Sequence, residues 1–134
     1  MNKSYAYAVV AALLSLAIGA CYVGDVFFDY GFLGPEIGSE GETVQLWGYV
    51  SIGLSIVLLA AVICAMNAKL KWTNYVLLGI LFLLCFIQLP PVFLWLFVML
   101  LGEWGAGVSV LLHCLVLVAM IGSVRAMRRA LVVS

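Results

Sequence analysis

The chain has 134 residues, of which 67% are apolar and 9% charged, against roughly 45–50% and 25% in ordinary soluble domains. A water-solvated fold of this composition would lack the polar surface to cover itself. Six Lys+Arg offset six Asp+Glu, so no basic field exists to attract nucleic acid. The length suits one domain and leaves no room for a soluble catalytic module beside membrane spans.

In chain order, the first apolar run covers residues 5–24, long enough for a ~30 Å hydrocarbon core. Within it Ala8, Ala12, Ser15 and Gly19 recur every three or four residues, which places them on one helical face as a small-residue seam where another helix can approach closely. Lys3, the apolar run and Ile18-Gly19-Ala20-Cys21 also resemble a lipoprotein signal peptide. The run is longer than a usual signal core, so a first span is the better reading.

The longest polar interval, residues 25–43, follows. Its acids Asp25, Asp29, Glu36, Glu40 and Glu42, joined by Glu103 from a later loop, form an acidic mouth. Such a mouth can gather cations or a basic segment of a partner, although charges that simply hold a loop out of lipid are the better explanation. The stretch from Gly34 to Glu42 lacks alternating oxygen ligands, which disfavours a calcium site.

The second run, residues 44–66, offers Ser51 and Ser55 near one end and Ala61 and Ala65 near the other. The third, residues 74–101, would extend about 42 Å as a helix, well beyond the hydrocarbon core. Pro90 and Pro91 remove two backbone donors from it and leave the carbonyls of Phe86 and Ile87 without their usual partners. The expectation is a full span kinked at these prolines. A short span followed by an interfacial helix is disfavoured, because residues 92–101 have no polar face to lie in an interface.

The fourth run, residues 106–127, carries Ser109 and His113. The spacing predicts four transmembrane helices in an up-down bundle, an all-α membrane protein with short connections between antiparallel neighbours. Alternating crossings then put Lys3, Lys69, Lys71, Arg125, Arg128 and Arg129 on one side and all six acids on the other. By the positive-inside rule both termini are cytoplasmic, in the cell inner membrane. Tyr5, Tyr7, Trp72 and Tyr75 fit an inner aromatic belt, and Tyr22, Tyr30, Trp47, Tyr49 and Trp104 an outer one. Trp95 lies deeper and is expected between helices or against lipid.

Gln88 and His113 are the polar side chains deepest in the spans. Counted from the cytoplasmic ends they fall at similar depth, which predicts a Gln88–His113 hydrogen bond, with Ser109 on the same face as His113. Cys21, Cys64, Cys85 and Cys114 fall one per run without a Cys-x-x-Cys pair, against thiol redox chemistry and zinc. Hydrolase, zinc-protease and phosphate-loop signatures are missing. The expectation is therefore a non-enzymatic protein without cofactor or metal, whose partners are the bilayer and another membrane protein or a second copy. It would act by helix association, as an accessory subunit or an immunity-type inhibitor of a membrane-acting toxin. The alternative is an oligomeric channel or transporter with a Gln88/His113 polar path.

Overall fold

The computed structural model describes residues 2–23, 41–68, 71–102 and 104–133. These form four α-helices: α1 (Lys3–Val23), α2 (Gly41–Ala68), α3 (Lys71–Leu100) and α4 (Ala106–Val133). Each is long and apolar enough to cross a membrane, so the chain is an all-helical, multi-pass membrane protein. Of the acidic-mouth residues, Asp25, Asp29, Glu36, Glu40 and Glu103 lie outside the described residues, and Glu42 lies in the first turn of α2.

The helices run past the apolar stretches because hydropathy stops at a charge while helix propensity does not. Arg, Met, Ala and Leu are all good helix formers, so α4 continues through Arg125, Arg128 and Arg129 to Val133. Asn2 starts α1: its Oδ1 accepts from Ser4 N–H at 3.5 Å, and its carbonyl accepts from Tyr5 and Ala6 N–H, both at 3.1 Å. Gly102, with φ of +109°, stops α3 in the left-handed region, its N–H donating to the Met99 carbonyl at 3.1 Å.

Each helix packs most extensively against two others, α1 against α2 and α4, and α3 likewise against α2 and α4. The centre is filled by Ala8, Ala11 and Ala12 of α1, Leu58 and Val62 of α2, Leu77, Leu81 and Leu84 of α3, and Val116 and Met120 of α4. The backbones of α1 and α2 approach closely at Gly19 and Gly48. A Cβ on Gly19 would lie 2.8 Å from Ile52 Cγ1 and 2.9 Å from the Gly48 carbonyl, and one on Gly48 would lie 2.9 Å from the Gly19 carbonyl. Only glycine at both positions permits this crossing without displacement.

Ala8, Ala12, Ser15, Gly19, Ser51, Ser55 and Ser109 are all buried within the single chain. The small-residue seams are thus filled by the chain's own helices. The outside is apolar on every helix, with Leu13, Ile63, Phe86 and Val118 among the exposed side chains, as a lipid solvent requires. Pro90 and Pro91 lie inside α3, which continues as one helix through both positions. Pro90 is exposed and Pro91 half-buried, because Gln88 and Trp95 take the inward face of that stretch.

Candidate functional site

The polar side chains inside the bundle come from all four helices. Ser4 and Ser15 lie on α1, Ser51 and Ser55 on α2, Thr73 and Gln88 on α3, and Ser109, His113 and Ser123 on α4; all are buried. Their partners decide what they can do, since a polar group in lipid must be satisfied within the protein.

Tyr22 in the last turn of α1, Trp95 in α3 and His113 in the second turn of α4 form the most connected group. Trp95 Nε1–H donates to the Tyr22 hydroxyl at 2.6 Å. That hydroxyl lies 2.9 Å from His113 Nε2, and His113 Nδ1 lies 2.6 Å from the Ser109 carbonyl. A carbonyl can only accept, so the Nδ1 proton points at it. A charged ring is expensive within a span, so His113 is neutral, Nε2 accepts, and the Tyr22 O–H donates to it. The chain of donation therefore runs from indole to phenol to imidazole and ends on a backbone carbonyl. The rings also touch: Tyr22 stacks on Trp95 with centroids 6.4 Å apart and lies 5.7 Å from the His113 ring.

Gln88 does not meet His113, contrary to the depth argument. Its Nε2 donates instead to Ser15 Oγ on α1 at 3.2 Å. The reason is side-chain direction: helical side chains lean toward their own N-terminus. His113 accordingly leans onto the preceding turn at Ser109, and Gln88 leans away from the Trp95 level toward Ser15. Gln88 Oε1 and Ser109 Oγ are buried without a hydrogen-bond partner among the described residues.

Two further contacts tie the opposite end together. Ser123 Oγ donates to the Ser4 carbonyl at 2.8 Å, and Tyr5 OH donates to Asn74 Oδ1 at 2.8 Å. Within α2, Ser55 Oγ turns back onto the Ser51 carbonyl at 2.6 Å.

Tyr22 is the residue that sequence reasoning misplaced. Its place in the sequence suits the outer aromatic belt, yet it is 5% exposed. The available signal was its spacing: it lies three residues after Gly19 and seven after Ser15, on the seam face. Trp95, 2% exposed, sits between helices.

The cysteines are free, and Cys85 Sγ lies 3.4 Å from Met120 Sδ. Among the described residues no group of three His, Cys, Asp or Glu side chains could hold a metal ion. Comparison with protein-family models, curated proteins and solved structures gives no match.

Proposed function

We propose that the chain is a non-enzymatic inner-membrane protein that works by helix association, as an accessory subunit of a membrane complex or an immunity-type inhibitor of a membrane-acting toxin. In this reading the helices alternate up and down and both termini are cytoplasmic. The contacts support the alternation. Ser4 meets Ser123 and Tyr22 meets His113, an opposed pairing of α1 with α4. Tyr5 meets Asn74 and Tyr22 meets Trp95, a matched pairing of α1 with α3. The sidedness follows from the cations, and a bend of α3 at Pro90 and Pro91 follows from the two missing donors.

One observation carries the association reading. Of the four helices α3 is the least covered by the rest of the chain, and its outer face is a ridge of Phe82, Phe86, Phe93 and Phe97, each more than half exposed. At 3.6 residues per turn these four lie on the side opposite Leu77, Leu81, Leu84, Gln88 and Trp95. Rings in register along the outer face of the least covered helix offer a surface against which the aromatic or apolar side chains of a second membrane helix can pack. Photocrosslinking side chains placed at Phe86 and Phe93 in native membranes should join the chain to one discrete membrane protein, while the same group at Leu13 of α1 should not. Crosslinks to lipid alone, or equal capture from both helices, would remove the reading.

The channel or transporter alternative has its own observation, the two buried polar atoms Gln88 Oε1 and Ser109 Oγ that lack partners. Such atoms in a span commonly mark a polar path. Reconstituted protein should then pass ions or small polar solutes at a rate altered by His113→Ala, and inert liposomes under several ions would exclude it.

A further inference from the structure

We infer that the arginine end of α4 binds the headgroup of an anionic phospholipid. Arg125, Arg128, Arg129 and Val132 line an open surface pocket of about 480 Å³. Their spacing puts them on one face of the helix, and the three arginines are exposed. No Asp or Glu occurs in α4, and none in α1, which packs against it and adds Lys3; the other helix packed on α4, α3, also has none and adds Lys71. Three guanidinium groups gathered with no Asp or Glu among the described residues of these three helices repel one another until an anion sits among them. Paired N–H donors match phosphate oxygens in geometry as well as charge.

Depth selects the source of the phosphate. α4 carries no charged residue from Ala106 to Val124 and its charges begin at Arg125, so the pocket lies where the hydrocarbon gives way to headgroups. On the same face, one and two turns back from Arg125, Ile121 and Val118 are exposed and apolar. A phospholipid seated with its phosphate on the arginines lays its acyl chain along these residues. Free phosphate has the same chemistry for the guanidinium groups and nothing to gain from the apolar rail. The inference stands apart from the association reading, because it concerns α4 rather than the ridge of α3.

The test is native mass spectrometry of the full chain in dodecyl maltoside, with graded phosphatidylglycerol, phosphatidylcholine or inorganic phosphate. Phosphatidylglycerol should be retained about tenfold more tightly than phosphatidylcholine, and Arg128→Gln should weaken it about fivefold. The triple variant R125Q/R128Q/R129Q should lose the preference while keeping its helicity, since these side chains are exposed. Lys3→Gln removes one cation of the same end and should change retention by less than about twofold. Equal retention of the two lipids, undiminished binding by the triple variant, an equal loss in Lys3→Gln, or displacement by equimolar phosphate would each overturn the proposal.

Discussion

The Tyr22 hydroxyl stands between the Trp95 indole and the His113 imidazole, and it is the partner of His113 Nε2. Removing it leaves a buried acceptor unpaired, which costs about 1–3 kcal/mol in water-soluble proteins and toward the lower end in membranes. Tyr22→Phe should therefore lower the denaturation midpoint in detergent by an amount equivalent to roughly 1–2 kcal/mol. An unchanged midpoint would show that the cluster contributes no net stability. Gln88→Leu makes a useful contrast. Gln88 gives one bond of 3.2 Å and leaves Oε1 unpartnered, so its replacement should cost less than about 0.5 kcal/mol or stabilise the fold. If instead Gln88→Leu abolishes solute flux in liposomes, Gln88 lines a path and the channel reading takes precedence. The sequence exposed Gln88 and His113 as the deep polar residues but not their partners. Residue type and depth are local properties, whereas partner choice depends on the lean of each side chain and on helix register.

At the scale of elements, the four helices were legible because each apolar run is long and, apart from Pro90 and Pro91, free of proline. The seam residues Ala8, Ala12, Ser15 and Gly19 were legible for the same reason, since small residues every third or fourth position announce close packing. Gly48 lies three residues before Ser51 and seven before Ser55, on the same small-residue face, so its spacing also carried the signal; what the spacing does not give is its partner, the Gly19 carbonyl, which a Cβ on Gly48 would meet at 2.9 Å. Gly19→Ala and Gly48→Ala should each force α1 and α2 apart and cost about 1–3 kcal/mol. Gly53→Ala, with open space around its Cβ position, should be neutral or slightly stabilising. The midpoint of thermal unfolding in detergent ranks the three; parity among them would contradict a tight α1–α2 crossing. Gly102→Ala should also destabilise, by about 1–2 kcal/mol, because its φ of +109° is strained for any side chain.

For the whole molecule, the composition that excludes a water-solvated fold and the apolar exterior of the bundle describe one physical arrangement, with polar groups turned inward and lipid outside. The small-residue seams are consumed within the chain, which leaves the ridge of α3 as the surface proposed for association. Composition and periodicity reveal that a face packs, but not whether its partner is the same chain. The sidedness rests on six cations and on an even number of crossings, and reporter fusions at the N-terminus, at the C-terminus and within residues 25–43 measure it directly. Both ends should report the cytoplasm and the 25–43 interval the opposite face, with the protein released from membranes only by detergent. Termini on opposite faces, or release by alkaline wash alone, would contradict the account.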